Sequence, residues 1–115
     1  MTENYLFSRL AAYGEAHPEK TFAQAPEAAP QSYGATLQNA LHLAAVLTSA
    51  GLKPGDRVAV QVEKSLTALE LYLATVAAGG VFLPLNTGYT ASELAYFLDD
   101  ATPAIVVCDP ARVAE

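Results

Sequence analysis

Apolar residues recur at helical spacing through the first half of the chain, then alternate or run together in short stretches. Leu6, Leu10 and Tyr13, flanked by Phe7 and Ala11, mark one face of a helix that must stop before Pro18, because proline cannot join a helix interior. The Ala-, Pro- and Gln-rich stretch 21–32 accommodates two short strands, Thr21-Phe22-Ala23 and Gln31-Ser32-Tyr33, around a loose turn at 26–30. Residues 36–50 carry a fuller helical pattern. Leu37, Leu41 and Ala44 form one apolar line with Ala40, Leu43 and Leu47 beside it, and Gln38, His42 and Ser49 share the opposite side. Gly51 is placed to cap that helix, and Lys53-Pro54-Gly55-Asp56 turns the chain.

The period then changes. Val58, Val60 and Val62 point to one face of a strand while Ala59 and Gln61 point to the other. Over 65–78 the apolar residues Leu66, Leu69, Leu71, Tyr72, Leu73 and Val76 surround most of a helix, which predicts burial on nearly all sides. Gly79-Gly80 ends it, and Val81-Phe82-Leu83 is a continuous apolar strand. Thr90-Ala91-Ser92-Glu93 has the form of a capping box and opens a short helix through Leu94, Phe97 and Leu98. Pro103 follows its end, and 104–107 forms a last strand. Strand, helix, strand, helix, strand is an α/β order whose crossovers are long enough for parallel pairing, and Ile105-Val106-Val107 suits a sheet covered on both faces.

Composition adds three limits. With 52% hydrophobic and 16% charged residues the 115-residue chain can enclose a core, so disorder is excluded. The apolar excess fits either surface that more protein covers or a deeply buried sheet. A net charge of −6 with no basic stripe argues against nucleic-acid binding. The polar start Met1-Thr2-Glu3-Asn4-Tyr5 lacks the order of a signal peptide, and Glu63, Lys64 and Glu70 interrupt the longest apolar run, so the expectation is a cytoplasmic protein without a membrane span.

Few residues are placed for chemistry. Gly79-Gly80 lacks the further glycine and lysine of a phosphate loop and reads as a helix stop. His17 and His42 fall in different elements without suitably spaced carboxylates or thiols, and Cys108, the single cysteine, reads as a small buried thiol, so no metal site is assigned. The adjacent Asp99 and Asp100 do not face one another on a helix, which makes them a poor acid–base pair. Ser65 is a helix start, and Glu63-Lys64-Ser65 reads either as an exposed rim or as part of a cleft. Asn86-Thr87-Gly88 follows the C-terminal end of a parallel strand, where open α/β sheets place ligands. Its amides and short side chains suit a ligand; an Asx-type turn leading into a capped helix is the structural alternative.

Several stretches together carry a family resemblance. Gly51-Leu52-Lys53-Pro54-Gly55-Asp56-Arg57-Val58-Ala59-Val60 resembles many adenylate-forming enzymes. Gln61-Val62-Glu63-Lys64-Ser65, Leu71-Tyr72-Leu73-Ala74-Thr75-Val76, Gly79-Gly80-Val81-Phe82-Leu83-Pro84-Leu85-Asn86-Thr87 and Ile105-Val106-Val107-Cys108-Asp109-Pro110 resemble the malonyl-CoA synthetase branch more particularly. The resemblance implies that residues 1–115 are a partial N-terminal, AMP-binding-type domain: the opening of the large α/β domain of an adenylate-forming enzyme, with mostly parallel strands and without the C-terminal lid domain.

The implied reaction converts malonate, ATP and CoA to malonyl-CoA, AMP and pyrophosphate through an acyl-adenylate, with Mg2+ screening the phosphates. Methylmalonate or another short dicarboxylate is an alternative acyl substrate. The family's phosphate loop, adenylate motif, ribose-binding aspartate and C-terminal lysine find no match in these residues, so no catalytic residue is assigned and the chain alone is expected to be inactive. The resemblance also brings Asn86, Thr87 and Gly88 near the CoA nucleotide, with Arg112 as the basic residue approaching its phosphate. From a different class, a ligase-derived domain that binds a nucleotide or docks onto another chain accounts for the same missing motifs.

Overall fold

The computed structural model describes residues 5–24, 26, 29–63 and 65–108. Helix α1 (Tyr5–Ala16) is followed by β1 (Thr21–Ala23) and β2 (Gln31–Ser32), an antiparallel pair whose register shifts between Thr21 and Ala23. Next come α2 (Tyr33–Ser49), β3 (Arg57–Gln61), α3 (Leu66–Ala77), β4 (Val81–Pro84), α4 (Ala91–Ala101) and β5 (Ile105–Cys108). The last three strands form one parallel sheet in the order β4-β3-β5. This is the α/β architecture that the sequence pattern predicts.

Parallel pairing leaves room for only one kind of connection. Right-handed crossovers on a sheet of this order carry α3 and α4 to opposite faces. On the α3 face, Val58 and Val60 pack with Leu47, Leu52, Leu71 and Ala74 into the core, joined by Phe82, Ile105 and Val107 from the flanking strands. Ala40 and Ala74 are fully buried, and small side chains at such points let helices pack closely. On the α4 face the cover is thinner. Val106 is 47% exposed, and α4 buries none of its residues completely. The expectation of a sheet sealed on both faces therefore holds for the central strand, whose Ala59 and Gln61 are buried on the α4 side, and not for the edge strands, where Val81 and Val106 are exposed.

Three details depart from the sequence reading. Helix α2 begins at Tyr33 rather than residue 36, because Ser32 leaves the strand in extended conformation and caps the helix, its Oγ accepting from the Ala35 amide at 3.2 Å. Tyr33 thus opens the helix instead of ending the strand. Along α2 the buried line is Leu37, Ala40 and Leu47, whereas Leu41 is 53% exposed. The apolar stripe is rotated toward α3 relative to the line through Leu41. Third, α3 buries two polar residues, Glu70 and Thr75, among its apolar ones.

The remaining ends behave as their residues dictate. Ser65 caps α3, Gly79 leaves it with φ +85°, and the capping box of α4 forms in full. The α4 terminus is unusual: Thr102 takes a left-handed conformation (φ 44°) where glycine or asparagine is customary. Pro103 follows immediately and bars the helix from continuing. Among the described residues no helix is long and apolar enough to cross a membrane.

Candidate functional site

The C-terminal ends of β3 and β4 and the N-terminal turn of α3 enclose a cavity of about 780 Å³. Its walls are apolar, with Val60 and Val62 from the β3 side, Ala68, Leu69 and Tyr72 from α3, and Phe82 and Leu85 from the β4 side. Its polar rim consists of Glu63, Ser65, Asn86 and Thr87. Tyr72 and Phe82 meet edge to face, their ring centroids 5.1 Å apart, which fixes the inner wall.

Each rim element is held by a local bond. Ser65 Oγ accepts from the Ala68 amide at 3.0 Å, so α3 starts at the cavity's edge with the positive end of its dipole toward it. The β4 ladder extends one step past the strand through Leu85 N donating to Val60 O at 2.8 Å. There the backbone departs from the sheet. Gln61, the last residue of β3 and 1% exposed, donates its Nε2 to Asn86 O at 2.9 Å, a side-chain amide continuing where the backbone ladder stops. The same carbonyl accepts from Tyr89 N at 3.2 Å.

The predicted loop divides. Asn86 and Thr87 line the cavity. Gly88 does not, but its amide donates to Asn86 Oδ1 at 2.7 Å, so the Asx-type turn anticipated as the structural alternative is present in the same loop that borders the cleft. A Cβ on Gly88 would lie 3.2 Å from Asn86 Oδ1, so the turn is tight. Arg112 lies outside the described residues. Glu63 and Ser65 belong to the cleft lining while remaining exposed, which reconciles the rim and cleft readings.

Sequence reasoning missed Tyr72, Phe82 and Leu85 as lining residues and Gln61 as the loop's anchor. Tyr72 and Phe82 read as ordinary core, and only their place beside the strand ends distinguishes them.

His17 sits at the end of α1 with Nδ1 3.1 Å from Tyr13 O and its ring stacked on Tyr13, and His42 is exposed on α2. Asp99 and Asp100 are both exposed, and Cys108 is half-buried. Among the described residues no three His, Cys, Asp or Glu side chains converge as a metal site would require.

Residues 10–115 match the AMP-binding enzyme family. The structure superposes on MatB from Rhodopseudomonas palustris in its apo form, with 51% identity and a TM-score of 0.87, and in its ATP-bound form, with 50% identity and a TM-score of 0.87. Each match covers 93% of this chain and 21% of that one. Tyrocidine synthase 2 of Brevibacillus parabrevis is 38% identical over 106 residues, 92% of this chain and 3% of its own length. The acyl-CoA ligase azaF of Aspergillus niger is 43% identical over 68 residues, 59% of this chain and 13% of its own length. The chain thus spans about a fifth of MatB and less of these two relatives.

Proposed function

The chain belongs to the AMP-binding enzyme family, and from that premise we propose that it supplies the N-terminal part of the large domain of an acyl-CoA ligase acting on malonate. In this reading residues 1–115 are a partial AMP-binding-type domain, and the catalytic lid domain is another part of the enzyme. The observation that carries the reading is the 51% identity to MatB over 93% of this chain. The branch-specific stretches around Gln61–Ser65 and Gly79–Thr87 support it.

The proposed reaction has two steps. A malonate carboxylate oxygen attacks the α-phosphorus of ATP, the bond to the bridging oxygen breaks, and pyrophosphate leaves. The CoA thiol, losing its proton, then attacks the carbonyl of the malonyl-adenylate, and AMP leaves. Magnesium supplies charge screening at the phosphates; the described residues do not converge on a site for it, and none is given that role.

The part of this chain in that scheme is binding. The Asn86-Thr87-Gly88 loop borders the passage for CoA, and Arg112 is proposed to meet a CoA phosphate. The apolar walls with a polar rim support binding of the uncharged part of CoA, while the Glu63 carboxylate disfavours its phosphates within the cavity.

The test uses the complete enzyme. Asn86→Ala, Thr87→Val and Arg112→Ala should each raise the KM for CoA, and malonate-dependent ATP–pyrophosphate exchange should exceed exchange with acetate or succinate. Unchanged CoA dependence in all three variants overturns the site assignment. Exchange that prefers a monocarboxylate overturns the assignment of malonate.

A further inference from the structure

Gln61 combines two properties that ordinary core residues lack together. Its side chain is 1% exposed, and its Oε1 has no hydrogen-bond partner, the only such buried side-chain atom among the described residues. An unpaired buried acceptor is destabilising, and a methionine of nearly the same shape would avoid it. The other end of the amide accounts for the residue: Nε2 donates to Asn86 O at 2.9 Å, and Asn86 is the first residue of the loop that borders the cavity.

The amide orientation is fixed by that bond. Rotating the group by half a turn would set Oε1 against the Asn86 carbonyl, two acceptors facing one another. Gln61 lies on the sheet face of Ala59, in register with Cys108, whereas the cavity is lined by Val60 and Val62. It therefore reaches the loop from beneath without entering the cavity.

The loop has further ties. Asn86 O also accepts from Tyr89 N at 3.2 Å, and Asn86 Oδ1 accepts from Gly88 N at 2.7 Å. Both bonds hold the turn together internally, and the Tyr89 ring stacks on Phe97 of α4 with centroids 4.8 Å apart. The Gln61 bond instead joins the turn to the sheet immediately beyond the last ladder bond, Leu85 N to Val60 O.

We propose that Gln61 is a positioning residue: it sets the height of the Asn86-Thr87-Gly88 loop over the cavity and, through that loop, the affinity of the site for CoA. The second half rests on the assignment of CoA to this cleft; the first half does not. Gln61 touches no substrate. Its contribution is a fixed loop, which lowers the ordering cost that binding must otherwise meet.

The experiment is Gln61→Met in the complete enzyme, read two ways. Hydrogen exchange should accelerate at the Gly88 and Tyr89 amides while the Leu85 and Gly80 amides keep their protection. The KM for CoA should rise about three- to tenfold, the net worth of roughly one hydrogen bond, with the KM for ATP unchanged. Faster local exchange with an unchanged KM for CoA upholds the anchor and overturns the CoA assignment. Unchanged exchange at Gly88 and Tyr89 overturns the proposal itself. Faster exchange throughout β3 and α3 also overturns it, because Gln61 would then be a general structural residue.

Discussion

Gln31 and Glu70, 39 residues apart in sequence, meet through a 2.6 Å hydrogen bond from the Gln31 amide nitrogen to Glu70 Oε2. The same oxygen accepts from Asn39 Nδ2 at 2.7 Å, and Gln31 Nε2 also reaches Thr36 Oγ1 at 2.9 Å. Glu70 is 6% exposed on α3, so amides from β2 and α2 meet its buried carboxylate. The network fastens the hairpin and α2 to α3 at one point.

Removing either donor leaves the carboxylate dependent on the other. Gln31→Ala and Asn39→Ala should each weaken the attachment by about 1.5–3 kcal/mol, the range for hydrogen bonds to charged groups. The double variant should depart from the sum, since both donors serve one oxygen. Native-state hydrogen exchange of α2 amides in the complete enzyme measures both effects. Strict additivity would show that the two donors act independently.

This network was not legible in the sequence, and the reason is physical. Gln31 stands in an Ala- and Pro-rich stretch with weak local preference, and its partner comes from another element. The elements carrying the sheet were legible, because alternating Val58 and Val60 and the continuous run at Ile105 are local patterns. Tyr33 was misread as strand because Ser32 both ends the strand and caps the helix that Tyr33 opens. Leu41 was misread because periodicity defines a stripe's spacing, while packing against α3 selects its rotation. The candidate loop was visible from its place after a strand, yet its anchor, Gln61, depends on a contact 25 residues away.

Thr102 closes α4 at φ 44°, and its amide donates to Leu98 O at 2.9 Å. A β-branched residue in the left-handed region carries a penalty of about 1–2 kcal/mol. Asparagine tolerates that conformation better, without the additional unfolded-chain entropy of glycine. Thr102→Asn should therefore raise the thermal midpoint. Calorimetry that finds a lower midpoint would show that Thr102 makes a compensating contribution.

The capping box gives α4 a dependence on pH. Glu93 accepts from the Thr90 amide at 2.9 Å, and Thr90 Oγ1 accepts from the Glu93 amide at 3.2 Å. The Thr90 backbone bond, followed by the Thr90 side-chain bond, holds the Glu93 carboxyl below its ordinary value. A carboxyl lowered on folding stabilises the folded state above its unfolded pKa, and this contribution is lost as pH falls through the lowered folded value. Acidification through the carboxylate range should thus loosen the first turn of α4, seen as faster exchange of the Glu93 and Leu94 amides after correction for intrinsic rates. Glu93→Gln should remove that acid-sensitive component. Thr90→Ala should cost about 0.5–2 kcal/mol at neutral pH through loss of the cap.

The distribution of exposed apolar side chains leads to a last prediction, about the 115-residue chain by itself. The all-round apolar pattern of α3 predicts burial on nearly all sides, and in the structure the helix buries most of that pattern, with Leu69 its one large exposed hydrophobic residue. Exposure is concentrated elsewhere. Leu41 and Val46 lie outward on α2, Tyr96 is 67% exposed on α4 beside Phe97, and Val106 is 47% exposed on the sheet. Aromatic and branched side chains in such numbers favour self-association. The purified chain should therefore form concentration-dependent oligomers in light scattering, despite its net charge of −6. Tyr96→Lys with Val106→Thr should reduce the association on the α4 side, whereas Leu69→Lys should have the smaller effect. If Leu69→Lys disperses the chain and the α4-side pair does not, the α3 helix is the adhesive surface after all.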